Sequence, residues 1–275
     1  MNLRYTVARL VRHFMPAWLA RFLLRRNLII HPGLETSDPQ AAADRYQAVL
    51  ASQGCSLTGK RVMVFGYGGH FALGCILLRK GAGHVVLCDA YAPPDDARNL
   101  LLLPEFADLL QHEGDRVVPS SPAITLLQAD VRQVQPSDLG AVDYVFTTSV
   151  YEHLDDVQGI TRALSALTRP DGLQLHFIDM RDHYFKYPFE MLTFSESTWR
   201  SWLNPTSNLN RCRLPDYQQA FEKHFRRVDI QVLASDPQAY QQARSRIRPE
   251  FQTGDVEVDA VTLIQVLASQ PFSPA

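Results

Sequence analysis

Between Thr58 and Ile178 short apolar runs alternate with stretches of helical period, and few folds accommodate that rhythm. Arg61–Phe65 is a β-branched run that ends in Gly66-Tyr67-Gly68-Gly69, and His70–Lys80 follows with helical spacing. His84–Cys88 is a second run, closed by Asp89. A helix over about Asp95–His112 leads to a third, Ala123–Gln128, which is followed by Asp130. Val142–Thr147 is the fourth, Val157–Leu167 a helix, and Leu173–Ile178 the fifth, after the turn Pro170-Asp171-Gly172. Strands alternating with helices predict a parallel sheet covered on both faces. Beyond the fifth run the rhythm breaks. Helices are expected near Ser195–Leu203, Pro215–His224 and Pro237–Arg248, and strands at Arg227–Leu233 and Val258–Leu267. Two late strands close such a sheet as an antiparallel hairpin. The fold class is therefore α/β, a Rossmann-like, doubly wound, mostly parallel sheet of about seven strands.

At 275 residues the chain is one large domain or two small ones, and its 46% hydrophobic and 20% charged residues are ordinary for a globular protein. The net charge of −2 lacks the basic surplus of a nucleic-acid binder. Four cysteines (Cys55, Cys75, Cys88, Cys212) form no CxxC pair and read as reduced thiols of a cytoplasmic protein. The division expected is a basic amphipathic segment, residues 1–34, joined to a body, residues 35–275.

In an open α/β sheet, ligands bind at the carboxyl ends of the strands. A glycine turn there lets backbone N–H groups approach a ligand closely. An acid closing the next strand, 23 residues after Gly66, can accept both hydroxyls of a ribose. The dinucleotide pattern G-x-G-x-x-G would need glycine at position 71, where Phe71 stands, which disfavours a nicotinamide or flavin dinucleotide. No G-x-x-x-x-G-K-[ST] is present, so a P-loop is excluded.

With V-M-V-F-G-Y-G-G-H at Val62–His70, Asp89, Asp130, and V-D-Y-V-F-T-T-S-V-Y-E-H-L at Val142–Leu154, the chain resembles the class I S-adenosylmethionine-dependent methyltransferases over about Gly59 to Ala268. The resemblance implies S-adenosylmethionine as cofactor. Gly66, Tyr67, Gly68 and Gly69 would hold its methionine end, Asp89 its ribose and Asp130 its adenine amino group. Ser149, Glu152 and His153 would line the methyl-transfer side. The sequence departs from the family pattern twice. Val64 stands where an acid usually orients the methionine amino group, and His70 replaces a further glycine. Glu152 is the group expected to compensate for that acid. The rival reading is a methyltransferase-like scaffold without activity.

Methyl transfer is an in-line displacement, so alignment in a dry site supplies much of the catalysis. The ring of Tyr67 or Phe71 could face the sulfonium. A hydroxyl acceptor also needs a base. His176, Asp179, Arg181, Asp182 and His183 form the densest titratable cluster, and His183 or Asp179 is the expected base, with His153 third. For any single one of them, a core histidine or surface pair is the plainer alternative. The spacing matches no dedicated metal motif, and no metal is expected.

Residues 184–213 read as a substrate lid, rich in aromatics (Phe189, Phe194, Trp199, Trp202). Asn210, Arg211 and Arg213 would either bind a polar acceptor or, in the bland alternative, leave arginines in solvent over a small aromatic subcore. Residues 1–34 hold six arginines and no acid, leaving 21 basic and 29 acidic residues in the remainder. Leu3, Val7, Leu10, Val11 and Phe14 recur at helical spacing, with Arg9, Arg12 and His13 opposite. Such a helix fits peripheral membrane contact through residues 1–26, or docking on the body with its arginines in water. The reading is a methyltransferase acting on a small-molecule, glycan or lipid-linked acceptor, at oxygen, with no nucleic acid as partner.

Overall fold

The computed structural model describes residues 2–16, 19, 37–182, 186–204 and 208–272. Helix α1 (Leu3–His13) precedes α2 (Pro39–Ser52), which is capped by Asp38, whose side chain accepts from the Ala41 amide, with Pro39 in the first turn. Then come β1 (Arg61–Phe65), α3 (Ala72–Arg79), β2 (His84–Cys88), a small hairpin of β3 (Leu110–Glu113) and β4 (Arg116–Pro119), and β5 (Ile124–Leu127). β6 (Val142–Thr148), α4 (Val157–Leu167) and β7 (Thr168–Asp179) follow. α5 (Leu214–Glu222), β8 (Phe225–Ser235), α6 (Pro237–Ala243) and β9 (Val261–Pro271) complete the chain.

The main sheet has seven strands in the order β5-β2-β1-β6-β7-β9-β8, with β9 antiparallel to both its neighbours and the other pairs parallel. Strand order reverses between β1 and β6, which is the switch point where a ligand crevice forms. Alternation along each strand fills two layers. Val62, Val64, Val85, Leu87 and Phe146 pack under α2 and α3, while Met63, Phe65, Val86, Cys88 and Val145 pack under α4 and α5. The expected fold class is the one observed.

Three boundaries differ from expectation. The helix over Asp95–His112 is instead three successive short helical turns (Asp96–Asn99, Leu100–Leu102 and Leu103–Phe106) and the first arm of the β3–β4 hairpin. Pro104 interrupts the helical bonding, and Gly114, at φ +59°, makes the turn that pairs Glu113 with Arg116. The fifth strand begins at Thr168 rather than Leu173, with a register shift between Val142 and Tyr144 opposite Gly172, where a Cβ would stand 2.6 Å from the Asp143 carbonyl. Val256–Asp259 is a helical turn before the last strand, not part of it.

A third core lies outside the sheet. Tyr5 of α1 joins Phe189, Met191, Leu192, Phe194, Trp199, Leu203, Tyr240 and Ala260. Most of the aromatics between positions 184 and 213 therefore pack on one another, and Trp202 alone of those named is left exposed. Arg211 and Arg213 are buried, contrary to both sequence alternatives. Arg211 donates to the Met191 and Phe194 carbonyls and pairs with Glu196, and Arg213 donates to the Met180 and Asp259 carbonyls. Asn210 is spent on the Tyr151 and Leu154 carbonyls. None of the three presents an acceptor-binding group: this segment is fixed by its own polar bonds.

Helix α1 is docked, but with the opposite face inward from the one its pattern implies. Tyr5 and Arg9 are buried, both bonded to Asp182 just beyond β7, and Arg9 lies 4.9 Å over the Trp199 ring. Leu3, Val7, Val11 and Phe14 point outward. A buried carboxylate and an indole face decide the orientation, since an unpaired Asp182 would be costly. Trp18, Phe22, Leu23, Arg21, Arg25 and Arg26 lie outside the described residues.

Candidate active site at the switch point

The crevice is built from the loops that leave β1, β2, β5, β6 and β7. Gly66, Gly68 and Gly69 adopt φ of +80°, +66° and +81°, conformations that only glycine takes without strain. A Cβ at Gly66 would stand 2.5 Å from the Val150 side chain, and one at Gly69 2.3 Å from the Pro93 carbonyl. The turn is therefore clamped between the loops after β6 and β2. Asn99 completes the clamp, accepting from the Phe71 amide and donating to the Gly69 carbonyl.

Asp89 lies where the sequence puts it. One carboxylate oxygen accepts from the Tyr91 and Ala92 amides at 2.8 Å each, and the other from the Gly68 amide at 3.1 Å. These bonds aim the group and couple it to the glycine turn, while acceptor capacity remains for a diol. Asp130 is less open: it caps the turn Val131–Gln133 and grips the Arg132 guanidinium, whose hydrogen bonds hold its pKa below the ordinary carboxylate range.

At the ends of β6 and β7, Ser149 takes a left-handed backbone, φ +55°, unusual for a serine and a form of strain concentrated at functional sites. Glu152 is 3% exposed, and its Oε2 has no hydrogen-bond partner. Burial first, and the nearby Asp179 after it, push its pKa well above 4.5, so the free site holds a neutral acid there. Asp179 itself is gripped by Arg181 through contacts of 2.6–3.2 Å, which makes it a poor candidate for the base. His153 Nδ1 must donate to the Asn208 carbonyl at 2.7 Å, which leaves its lone pair on Nε2. His176 is the satisfied core histidine of the plainer alternative: wholly buried, between Thr147 and Gln174, with desolvation lowering its pKa to about 3. Asp182 faces Arg9 rather than Arg181. His183 lies outside the described residues.

Two other expectations change. Phe71 is wholly buried in the core beneath α2 and α3, with Tyr67 stacked on it, so the Phe71 ring cannot face a ligand. Val64 is buried in the same layer, where a carboxylate would be costly. Among the described residues no three His, Cys, Asp or Glu side chains converge as a metal site.

Sequence reasoning missed Arg45. From α2 its guanidinium stacks on the Phe177 ring at 3.5 Å and donates to Thr148 Oγ1 at 2.7 Å, which places a cation at the ends of β6 and β7. On the sequence it is one more charge on an amphipathic helix, and no local signal distinguishes it.

Residues 79–175 match the family described as "Methyltransferase domain", a stretch that begins after the glycine turn and contains Asp89, Asp130 and Ser149–His153. That stretch is about a third of the chain, and the whole has the Rossmann-like fold of the S-adenosylmethionine-dependent methyltransferases. It is similar to a chain in the complex between the Haloferax volcanii Trm112 methyltransferase activator and its candidate methyltransferase, at 15% identity and TM-score 0.52, covering 94% of this chain and 97% of that one. It is also similar to Haemonchus contortus phosphoethanolamine N-methyltransferase 2 in complex with S-adenosyl-L-methionine, at 13% identity and TM-score 0.50, covering 83% of this chain and 53% of that one. At such identities these likenesses establish the fold. No curated protein matches the sequence. The residues present fit S-adenosylmethionine, the donor the sequence resemblance implies: a left-handed glycine turn, a carboxylate preset by three amides, and a buried carboxyl oxygen lacking a partner.

Proposed function

We propose that the chain methylates an oxygen of a small-molecule, glycan or lipid-linked acceptor. When bound, S-adenosylmethionine supplies an electrophilic methyl group. Asp89 holds the ribose diol, the Gly66–Gly69 turn accommodates the methionine end, and Asp130 lies at the adenine end. Arg45 is the cation that pairs with the donor's carboxylate, and Glu152 takes over from the missing acid at position 64. Ser149 shapes the turn that brings Glu152 to the crevice. Proton removal from the acceptor hydroxyl falls to His153 through Nε2, because Asp179 is occupied by Arg181; His183 is the second candidate.

The observation that carries this reading is the Asp89 carboxylate, preset by the amides of Gly68, Tyr91 and Ala92. Titration calorimetry with S-adenosylhomocysteine tests it. Asp89→Ala is expected to weaken binding by about 1.5–3 kcal/mol, the usual range for hydrogen bonds to a charged group. An unchanged affinity would mean that the ribose binds elsewhere, and no heat from the native chain would favour the inactive-scaffold reading. The acceptor is then sought by offering hydroxyl-bearing compounds and reading the gain of one methylene by mass spectrometry.

A further inference from the structure

Helix α1 presents an apolar side to solvent and a charged one to the protein. Leu3, Val7, Val11 and Phe14, spaced by four, four and three residues, are 66%, 50%, 60% and 66% exposed, and Trp202, 54% exposed, lies 6.4 Å from Phe14, ring to ring. The stripe is convex and sits on a helix held by buried contacts to Asp182 and Trp199. Exposed aliphatic side chains lined up in this way are a docking surface rather than a scatter of singles.

We propose that this face docks on an anionic lipid bilayer. Charge selects the occupant. Residues 1–34 carry six arginines and no acid; Arg9 is buried against Asp182, and the other five, set against a net acidic remainder, let a negatively charged surface attract this end and repel the body. A second copy seated on the same stripe would bring two such basic segments together. Shape agrees: a convex helix side with a tryptophan at its edge and the exposed Arg4 beside it suits the headgroup boundary, where indole rings concentrate and arginine stems reach outward. No described helix is long and apolar enough to cross a membrane, so the contact is one of lying on the surface. The opposite side of the same helix holds Asp182, three residues past the end of β7. The docked face and Asp182 are thus about one helix diameter apart, roughly 10 Å. A lipid-linked acceptor would be presented at that end, a consequence that rests on the methyl-transfer reading; the docking itself does not.

Sedimentation of the full-length protein with vesicles tests the docking. Phosphatidylglycerol-containing vesicles are expected to pellet it, and pure phosphatidylcholine vesicles about tenfold less, with added salt weakening the former. Val7→Asp and Trp202→Ser, both at exposed positions, should each lower vesicle affinity by about tenfold or more. Their thermal unfolding and S-adenosylhomocysteine binding should stay unchanged. Failure to pellet, equal pelleting of the variants, or indifference to lipid charge would overturn the proposal. So would a dimer in lipid-free solution that Val7→Asp dissociates, since a second copy would then own the stripe. Loss of S-adenosylhomocysteine binding by the native chain would instead count against the methyl-transfer reading and leave the docking result standing.

Discussion

Glu152 shows how much a single side chain's surroundings decide. In sequence it is one acid in a short motif; in the fold its carboxyl is sealed between Ser149 and the end of β7 with one oxygen unbonded. Burial holds it protonated in the free protein, and a bound ammonium group would favour the ionised form, so ligand binding releases a proton. Affinity for S-adenosylhomocysteine should therefore rise with pH and level off once Glu152 is ionised without ligand. Glu152→Gln should show weaker binding with no such rise. Calorimetry in buffers of different ionisation enthalpy reads the proton directly, and a native chain that releases none would remove Glu152 from the amino-group role. Gly66 makes the complementary point by what it lacks. Its left-handed backbone and the Val150 methyls leave no place for a Cβ, so the turn's path is dictated by close contact as well as by conformational freedom.

Among the elements, α1 depends on the rest of the chain the most. Isolated helices of its length are marginal in water, and this one is held by what its inner face meets. Burial disfavours the Arg9 charge, but Asp182 outweighs it and keeps the guanidinium protonated. Removing one partner strands the other. Arg9→Met is expected to cost about 3–5 kcal/mol through the uncompensated Asp182, whereas Arg9→Met combined with Asp182→Asn should recover much of that loss. Urea unfolding of the three chains checks this, and a double variant no better than the single one would show that the pair does not act as a unit. Tyr5 also bonds to Asp182, so partial recovery is the expected result. The segment around Trp199 is fixed in the same style, by Arg211 and Arg213 reaching backbone carbonyls rather than solvent.

At the scale of the whole molecule, histidine desolvation sets the acid limit. His176 is wholly buried in the sheet, and its pKa is lowered from 6.5 to about 3; His70, half-buried beside Arg98 and Asp95, is lowered to about 4, chiefly by burial. Below pH 6.5 the unfolded chain takes up protons that the folded one refuses. The stability these groups contribute is complete above that pH and is lost as pH falls, each by up to about 1.4 kcal/mol per unit, until the folded pKa is reached. His176→Gln should flatten the stability profile between about pH 6.5 and 3 relative to the native chain. Parallel profiles would show that His176 is not the neutral group described.

The strand–helix alternation, the glycine turn, the acid after β2 and the closing antiparallel strands were all legible in the residues, because each is written locally, in periodicity, turn chemistry and the reach of a few neighbours. The β3–β4 hairpin is hidden in the sequence because apolar residues around Pro104 mimic helical spacing, and Gly114 is a lone turn residue. What the sequence could not carry were decisions made by distant partners. Val64 and Phe71 face a packed layer, Arg45 comes to rest on Phe177, and α1 turns its arginine inward. A helical wheel ranks faces by hydropathy alone, and the energy of pairing a buried carboxylate 173 residues away exceeds that ranking once the chain is folded.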